Sequence, residues 1–246
     1  MTVRLGVIGT SDHGLTMING FRDRGAHISA VYGHKNREKL VGVNVVETVD
    51  EVFDECDAVA IITPVGTHLE LSCRALKKRL PVFVEKPMVS SLREAHLLRD
   101  EVEADHTPLM VGHQFCYVDG VDTMLRQRFQ CALGVWVRQP SYVKINPYWH
   151  IGVHFVSLLE LLKVDVFALE VLFRHECTPG WKFFFVDDLG KLIPWSPDGD
   201  YFGAECLHFL ECVEYGREPR TNVHHGVHVI SILEERYGSI DSMVYF

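Results

Sequence analysis

The fold is decided by the first stretch of the chain, Val3-Arg-Leu-Gly-Val-Ile-Gly9-Thr-Ser-Asp-His-Gly14. Residues 3–8 form a short aliphatic run rich in β-branched side chains, which is typical of a buried strand. The run ends in a turn with two glycines, and an amphipathic helical pattern follows over residues 15–24. A strand, a glycine turn and a helix in this order predict the opening of a βαβ unit.

The same alternation continues through the first 115 residues. Strands are predicted at 27–32, 58–63, 81–84 and 109–111, and helices at 67–78 and 90–104, the last capped by Ser90 or Ser91. Strands that alternate with helices imply a parallel sheet with right-handed crossovers. Residues 1–115 are therefore predicted to form an α/β domain with a Rossmann parallel sheet.

Beyond residue 115 the pattern changes. Helices are predicted at 121–129, 150–162, 204–215 and 225–236, with strands at 169–173 and 182–186. Because the regular alternation is lost, residues 116–246 are predicted to form a smaller α+β domain.

Composition excludes several classes of function. Apolar residues make up 47% of the chain and charged residues 23%, as expected of a compact globular protein. The net charge of −9 argues against a nucleic-acid partner, because such proteins usually carry a basic face. No apolar run approaches the ~20 residues of a membrane-spanning helix, and the chain starts without a charged-then-apolar leader. We expect a cytoplasmic protein without a membrane partner.

The cysteines agree with that expectation. There are seven of them, an odd number, and none is spaced as CxxC. This pattern favours reduced thiols in a cytosolic protein over a disulfide framework.

The glycine turn is a candidate dinucleotide site. Gly9 and Gly14 occupy the first and third glycine positions of GxGxxG, and Ser11 occupies the second. The backbone of such a turn and the start of the following helix bind a pyrophosphate. The predicted cofactor contacts here are Gly9, Thr10, Ser11, Asp12, His13 and Gly14. The turn alone leaves open a Rossmann-like domain with a different ligand.

The end of the second strand indicates which dinucleotide is bound. An acidic residue normally lies there, about 20 residues beyond the turn, and binds the adenosine ribose. Residues 31–37 contain no Asp or Glu but carry His34, Lys35 and Arg37. Because cations attract a 2′-phosphate, NADP is favoured over NAD. The alternative is that these are ordinary solvated loop cations.

Three further segments make the prediction more specific. They read Asp57-Ala-Val-Ala-Ile-Ile-Thr63-Pro64-Val-Gly-Thr-His68, Val82-Phe-Val-Glu85-Lys86-Pro87-Met88 and Gly203-Ala-Glu205-Cys-Leu-His-Phe209-Leu-Glu-Cys-Val-Glu-Tyr-Gly216-Arg217-Glu-Pro219. Together they resemble the glucose-fructose oxidoreductase/inositol dehydrogenase/MocA (Gfo/Idh/MocA) family. The resemblance extends over most of residues 2–124 and returns at 150–162 and 203–235.

The resemblance implies a hydride transfer between NAD(P) and a sugar, cyclitol or similar polyol or ketone. It implies that Lys86 reaches the reacting hydroxyl, where an amine can steady a developing alkoxide, and that the following Lys86–Pro87 bond is often cis. The alternative to this catalytic role is that Lys86 is a surface lysine in a turn. The remaining cofactor contacts that it implies are Thr63, Pro64, His68, Glu85, Lys86 and Gln114.

The second catalytic element of the family is a helix start resembling Asp-x-Gly-x-His-x-x-Asp. The chain has His150-Ile-Gly152-Val-His154-Phe-Val-Ser157 at this place. The resemblance implies that His154 is the general base, which suits an imidazole. His150 replaces the first Asp, which would orient His154 and stabilise its charged form. A histidine there is expected to do neither as well and to favour a lower pKa of His154. Alternatively, both histidines only cap and pack a helix.

Two aromatic residues next to this helix, Tyr148 and Trp149, are predicted to line the substrate pocket together with Lys86 and His154. An i, i+4 histidine pair also suggests zinc, but catalytic zinc usually has three protein ligands. No carboxylate or thiolate lies at a matching spacing, so no metal is expected.

The second half is shorter than the resemblance leads one to expect. Only residues 163–202 separate the His154 helix from the Glu205 helix, which leaves room for about three or four strands of ordinary length. In the family this sheet is large, open and antiparallel, and its open face commonly forms the oligomer interface. The resemblance therefore implies a reduced antiparallel sheet here and a homo-oligomer whose usual interface is altered or absent. A non-catalytic dinucleotide- or sugar-binding regulator on the same fold is the main alternative function, and reduction of a C=C or C=N bond is a third.

Overall fold

The computed structural model describes residues 2–138, 146–165, 167–173 and 180–241. The chain divides into two compact units, Met1–Gly112 with Phe202–Ile230, and His113–Tyr201 with Ser231–Phe246. The strands are β1 (Arg4–Ile8), β2 (His27–Tyr32), β3 (Ala58–Ile61), β4 (Val82–Glu85), β5 (Leu109–Gly112), β6 (Phe129–Arg138), β7 (Phe167–Phe173), β8 (Gly180–Asp187) and β9 (Leu192–Trp195). The helices are α1 (Asp12–Asp23), α2 (Val49–Asp54), α3 (His68–Lys77), α4 (Leu92–Asp105), α5 (Val121–Met124), α6 (Val153–Leu162), α7 (Tyr201–Tyr215) and α8 (Val223–Tyr237).

The first unit contains a parallel sheet with the strand order β2-β1-β3-β4-β5. Every residue of β3, β4 and β5 is buried, as expected for a parallel sheet covered on both faces. The order reverses at β1, which pairs with both β2 and β3. Open α/β sheets bind ligands outside the carboxyl ends of the strands at such a reversal. The predicted Rossmann sheet is confirmed.

Local sequence explains where the helices of this unit begin. The hydroxyl of Ser11 accepts a hydrogen bond from the amide of Gly14 and caps α1. Ser91 caps α4 in the same way through the amide of Glu94. Both residues stand directly before the apolar pattern that each helix buries, which is the usual place of an N-cap.

The division into units differs from the predicted contiguous segments 1–115 and 116–246, because residues 202–230 belong with the parallel sheet. Phe209 of α7 packs edge-on against Phe21 and Phe83, with ring centroids 6.0 and 5.7 Å away. Thr221 extends the contact to β5, since its carbonyl accepts from the Val111 amide and its hydroxyl donates to the Val111 carbonyl. These buried contacts hold the chain after α7 against the sheet.

The second unit contains a sheet with the order β7-β6-β8-β9. The β6–β7 pair is parallel, whereas β6–β8 and β8–β9 are antiparallel. The sheet is therefore mixed rather than wholly antiparallel, because α6 lies between β6 and β7 and a helical crossover returns the chain in the same direction. Phe155 of α6 stacks on Phe183 of β8 at 4.4 Å, which covers one face.

Some predicted elements differ from the observed ones. The helix predicted at 121–129 ends at Met124, and β6 begins at Phe129. The helix predicted from residue 150 is a π-helical turn, Tyr148–Gly152, followed by α6. Helix α2 and strands β6 and β9 have no counterpart in the prediction.

Within the described ranges, no helix combines the length and the apolar character that crossing a bilayer requires. The cysteines of those ranges, Cys56, Cys73, Cys116, Cys131, Cys206 and Cys212, form no disulfide.

Candidate functional site

The glycine turn after β1 can be built only with glycine at its ends. Gly9 has φ +119°, and a side chain there would collide with the carbonyl oxygen of Ile62. A Cβ on Gly14 would lie 2.5 Å from the carbonyl oxygen of Gly9. The Gly9 amide donates to the Tyr32 carbonyl at the end of β2, 2.8 Å away. The turn is thus fastened to β2 and packed against the residue that follows β3.

The start of α1 fits a phosphate-bearing ligand. The first amides of a helix have no partner within the helix and attract anions. Ser11, at the middle glycine position, uses its hydroxyl to accept from the Gly14 amide, 3.2 Å away. The Asp12 side chain is 92% exposed and points an oxygen toward Lys39, 3.8 Å away. The hydroxyl at position 11 therefore occupies the Gly14 amide, and only the amides of Asp12 and His13 at the start of α1 are left to a ligand.

The loop after β2 is held by Thr10. Its hydroxyl accepts from the Lys35 amide at 3.1 Å, and its carbonyl accepts from the Asn36 side chain at 2.9 Å. Gly33 packs so closely on Thr10 that a Cβ would overlap it. This anchoring places the backbone of His34 and Lys35 beside the glycine turn.

The three predicted loop cations differ in their surroundings. Arg37 pairs with Glu47 at 3.0 Å and donates to the Val46 carbonyl at 3.1 Å, so its charge is already balanced. His34 is exposed, and its Nε2 lies 3.2 Å from the Tyr32 hydroxyl. Lys35 is exposed and forms no ion pair with any described residue. That His34, Lys35 and Arg37 contact the cofactor stays a prediction, with Arg37 the one of the three that already pairs with a carboxylate.

The Glu85-Lys86-Pro87 segment begins at the carboxyl end of β4. Glu85 is buried, with one carboxylate oxygen 2.7 Å from Nε2 of His13 and the other accepting from the Lys86 amide at 3.0 Å. Burial works to raise the pKa of Glu85, but the His13 hydrogen bond and the charges of His13, Lys86 and His68 outweigh it and lower the pKa. The Lys86–Pro87 bond is cis. Glu85 thus joins the glycine turn to the backbone of Lys86.

The amine of Lys86 and the carboxyl of Glu205 have shifted proton affinities. Burial lowers the pKa of Lys86, against the charges of Glu85 and Glu205. Burial also raises the pKa of Glu205 well above its usual value, helped by the charge of Glu85 and opposed by that of Lys86. Burial thus works toward the uncharged form of both groups, and each group's charge opposes that effect on the other.

His68 holds two loops together. It is 1% exposed, and its ring nitrogens face the carbonyls of Thr63 and Pro87 at 2.8 and 3.0 Å. Burial lowers the pKa of His68, and a neutral imidazole donates to only one of the two carbonyls. The prediction that its side chain lines the dinucleotide is therefore corrected, because the ring lies inside the unit and orders the loops. Thr63 is partly exposed and Pro64 exposed at the end of β3.

In the second unit, His154 lies in the first turn of α6 and is 7% exposed. Its ring lies 5.0 Å from that of Phe115, which belongs to the same 3-10 turn as Gln114. Ser157, one turn further on, lies with its hydroxyl 3.1 Å from the Cys116 thiol. The position where the family resemblance leads one to expect a second Asp is thus occupied by an uncharged, buried hydrogen-bonding pair.

The π-helical turn changes the predicted relation between His150 and His154. The shared-face argument assumes an α-helix from residue 150, in which side chains four apart lie one above the other. The turn Tyr148–Gly152 instead has the wider i→i+5 repeat. The spacing argument for placing both imidazoles on one helical face therefore does not hold.

The two aromatic residues beside this turn pack within the unit. Trp149 is fully buried, and its indole N–H donates to the Gly238 carbonyl at 2.8 Å. Tyr148 stacks on Tyr237, with ring centroids 4.0 Å apart and an interplanar angle of 7°. Burial raises the pKa of Tyr237 to about 12. The prediction that Trp149 forms a pocket wall is therefore wrong, because no part of its side chain is exposed.

Two relationships in the first unit were not predicted from the sequence. Neither the hydrogen bond between His13 and Glu85 nor the charge coupling of Glu205 to Lys86 follows from a local pattern. Two features of the sequence could have pointed to them. His13 is a titratable residue inside the glycine turn, and Glu205 is a carboxylate four residues before the buried Phe209. Among the described residues, no group of three or more His, Cys, Asp and Glu side chains is arranged to hold a metal ion.

Comparison with protein families gives a match over residues 3–113. The matching model is GFO_IDH_MocA, described as an oxidoreductase family with an NAD-binding Rossmann fold. The match covers the parallel sheet together with its glycine turn and the Glu85-Lys86-Pro87 segment.

Curated relatives are oxidoreductases. An uncharacterized oxidoreductase of Streptococcus pneumoniae is 24% identical over 254 residues, which is 99% of this chain and 58% of the relative. Glucose-6-phosphate 3-dehydrogenase of Bacillus subtilis is 30% identical over 106 residues, 41% of this chain and 30% of the relative. The chain therefore matches 58% of the length of the first relative and 30% of the length of the second.

Solved structures share the fold. UDP-N-acetylglucosamine 3-dehydrogenase GnnA from Acidithiobacillus ferrooxidans superposes with a TM-score of 0.82 at 18% identity, covering 97% of this chain and 98% of that one. GenD2 from gentamicin A biosynthesis, solved in complex with NAD, superposes with a TM-score of 0.79 at 16% identity. The superposition covers 96% of this chain and 94% of that one. At this level of identity the likeness is one of fold.

Proposed function

Because residues 3–113 match the model of the GFO_IDH_MocA oxidoreductase family with its NAD-binding Rossmann fold, we propose that the chain belongs to this family and is a nicotinamide-dependent dehydrogenase or reductase. Its substrate is a sugar, cyclitol or similar polyol, or the corresponding ketone. The observation that carries the proposal is the Glu85-Lys86-Pro87 segment, in which Glu85 is buried and Lys86 half-buried, joined by His13 to the glycine turn. This arrangement puts a lysine with a lowered pKa at the carboxyl end of β4, where open α/β sheets bind ligands.

In this proposal the dinucleotide supplies the hydride donor or acceptor, and the protein handles the proton. Lys86 binds the substrate oxygen and stabilises the alkoxide that develops on it, as a preorganised cation does best in a site that excludes water. His154 takes the hydroxyl proton during oxidation and returns it during reduction. His150, in place of an Asp, orients His154 less well and disfavours its charged form.

The dinucleotide is proposed to lie across the glycine turn. The backbone of Gly9, Thr10 and Ser11 and the first amides of α1 face its pyrophosphate. Glu85 lies near the nicotinamide ribose. Further contacts are proposed for Asp12, His13, Gly14, Thr63, Pro64 and Gln114.

NADP is proposed in preference to NAD. The support is the absence of an acidic residue at the end of β2 and the exposed side chains of His34 and Lys35 beside Thr10. Replacing Lys35 by Glu is expected to weaken NADPH binding about tenfold, the loss of one charge-assisted contact, while NADH binding is retained. Lys191→Glu, an exposed lysine of the second unit, is the control. Equal weakening of both dinucleotides would exclude a 2′-phosphate site here.

The activity is tested with purified protein, NADPH and a panel of polyols and their ketones. We expect the fluorescence of NADPH to change on binding and the panel to contain a substrate. Lys86→Ala is expected to keep NADPH binding but to lower turnover roughly 100-fold or more, the usual contribution of a proton-handling group. Lys191→Ala is the matched control. Absence of dinucleotide binding in the wild-type protein would disprove the proposal.

A non-catalytic regulator on the same fold is the second candidate. The observation that favours it is the pair of replaced carboxylates, His150 and Ser157, the latter hydrogen-bonded to Cys116. If this candidate is right, the wild-type protein binds NADPH without turnover. His150→Asp then creates activity, since an Asp orients and charges the neighbouring imidazole.

The two compact units are proposed to divide the work. Residues 1–115 bind the dinucleotide, and the remainder binds the substrate, except that residues 202–230 pack with the dinucleotide-binding sheet. A homo-oligomer through the outer face of the second sheet is also proposed, where Leu133 and Leu192 are 42% and 57% exposed. Light scattering coupled to size-exclusion chromatography tests it, and a monomeric mass would exclude the oligomer.

A further inference from the structure

Asn36, in the loop after β2, has a backbone conformation that the local structure does not explain. Its φ of +52° lies in the left-handed region, which residues other than glycine adopt uncommonly. Among the described residues, three others that are not glycine share this conformation, and each stands at the end of a helix, where it is usual: Arg79, His106 and Lys163. Asn36 instead precedes the short 3-10 turn Arg37–Lys39. Its conformation therefore needs another reason.

The side chain of Asn36 supplies that reason. An Asn before a helical turn usually accepts a hydrogen bond from an amide of that turn, but the described turn receives no such cap from Asn36. Its Nδ2 atom instead donates to the Thr10 carbonyl at 2.9 Å and to Oδ1 of Asp12 at 3.3 Å. Both acceptors belong to residues between Gly9 and Gly14. One side-chain amide thus ties the loop after β2 to the glycine turn.

The residue before Asn36 is fastened to the same place. The Lys35 amide donates to the Thr10 hydroxyl at 3.1 Å, so two consecutive residues of the loop are bonded to Thr10. The ammonium of Lys39 adds a longer ion pair with Asp12, at 3.8 Å. Among the described side chains of this segment, Asn36 therefore makes the shortest polar contact to the glycine turn. Its amide is the part of the loop that most directly fixes the distance between the two.

The distance between the loop and the glycine turn matters for a dinucleotide. In a Rossmann fold the adenosine ribose binds at the end of β2, and the residues there decide whether a 2′-hydroxyl or a 2′-phosphate is accepted. The exposed Lys35 stands directly before Asn36 and shares its attachment to Thr10. Because the two residues are adjacent, a movement of Asn36 away from Thr10 also moves Lys35.

We propose that Asn36 is a positioning residue for the dinucleotide: its side-chain amide holds the loop after β2 against the glycine turn and thereby sets the selection between NADPH and NADH. The inference rests on the proposed function, because the loop has a ligand to select only if a dinucleotide lies along the turn. The charges agree with it. Asn36 and Lys39 both engage Asp12, the one acidic residue of positions 9–14, and so offset a charge that opposes an anionic ligand.

The test compares two substitutions by glycine at left-handed positions. Asn36→Gly removes the side-chain amide, while glycine adopts the positive φ at no steric cost. His106→Gly is the matched control, because the exposed His106 at the end of α4 has the same φ of +52° and a ψ of 29° against 24°. In protein without dinucleotide, we expect the Lys35 amide to exchange with solvent about tenfold faster in Asn36→Gly, the effect of losing a hydrogen bond. Amide exchange followed by NMR measures it, and His106→Gly is expected to leave the rate unchanged.

The second measurement concerns the selection itself. Fluorescence titrations of each variant with NADPH and with NADH give two dissociation constants. We expect Asn36→Gly to weaken NADPH binding about threefold or more relative to NADH binding, because Lys35 is no longer held in place. A residue with a merely structural role would weaken the binding of both dinucleotides alike.

An unchanged exchange rate of the Lys35 amide in Asn36→Gly overturns the proposal, and so does an unchanged ratio of the two dissociation constants. An equal acceleration in His106→Gly overturns it as well. If Asn36→Gly does not fold, Asn36→Asp carries the same expectation for amide exchange, because Asp tolerates the left-handed conformation but its carboxylate cannot donate to the Thr10 carbonyl. A wild-type protein that binds neither dinucleotide defeats the proposed function, whereas a wild-type protein that binds, with an unchanged ratio in Asn36→Gly, defeats the role of Asn36 alone.

Discussion

The imidazole Nε2 of His13 lies 2.7 Å from a carboxylate oxygen of Glu85. This bond connects the first turn of α1 to the end of β4, and the other oxygen of Glu85 fixes the Lys86 amide. A single carboxylate thus links the proposed dinucleotide turn to the proposed catalytic lysine.

Removing His13 tests this link. In His13→Ala the buried carboxylate of Glu85 loses the hydrogen bond that most stabilises its charged form. The cost of burying that charge is then no longer offset. Because His13 is partly exposed, we expect a loss of about 1 kcal/mol in the free energy of unfolding, together with weaker NADPH binding. Urea denaturation and fluorescence titration measure the two effects. His27→Ala, on the exposed start of β2, is the control, and equal losses in the two variants would contradict the link.

The lowered pKa of Glu85 predicts how stability responds to acid. A carboxyl whose pKa is lower in the folded than in the unfolded chain stabilises the fold above its ordinary pKa, and this stabilisation is lost as the pH falls through the folded value. Glu85→Gln lacks the group and is expected to show a smaller decline in unfolding free energy over that acidic window. Denaturant titrations at a series of pH values measure it. Parallel curves for wild type and variant would refute the assignment.

Glu205 predicts the opposite dependence. Its pKa is raised by burial, so its contribution to stability is complete below the ordinary pKa of a glutamate and is lost as the pH rises through the folded value. Glu205→Gln is therefore expected to gain stability relative to wild type as the pH rises. The charge of Lys86, whose pKa is lowered by burial, is coupled to that of Glu205, so the same comparison is also made with Lys86 replaced by Met in both proteins. A difference that does not change with pH would count against a titrating Glu205.

The sequence was sufficient to predict those parts of the fold that depend on residues close together in the chain. The parallel sheet follows from strands and helices that alternate over short distances, and the glycine turn follows from Gly9 and Gly14 within one motif. The return of residues 202–230 to this sheet depends on Phe209 meeting Phe21 and Phe83, a contact between distant parts of the chain. The spacing of apolar residues within α7 does not indicate which of the two sheets the apolar face of the helix covers.

The site shows the same limit. Lys86 was identified because it lies in a recognisable tripeptide, but the charge coupling of Glu205 to it depends on where α7 packs, which involves distant parts of the chain. The helix predicted from residue 150 begins instead with a π-helical turn, in which Trp149 is buried and donates a hydrogen bond to Gly238, far along the chain. A hydrogen bond between such distant residues cannot be predicted from the spacing of apolar residues.

The last prediction concerns the glycine turn itself. Gly9→Ala places a methyl group against the carbonyl oxygen of Ile62 at φ +119°, a conformation that side chains rarely adopt. Gly25 also has a positive φ, +92°, but nothing lies within 4 Å of its Cβ position, so Gly25→Ala carries the conformational strain alone. We expect Gly25→Ala to lose about 1 kcal/mol and Gly9→Ala clearly more, with NADPH binding lost only in Gly9→Ala. Urea denaturation and fluorescence titration of both variants provide the measurement. If both variants lose the same stability and both still bind NADPH, the close packing of the turn against the residue after β3 is not what shapes the dinucleotide site.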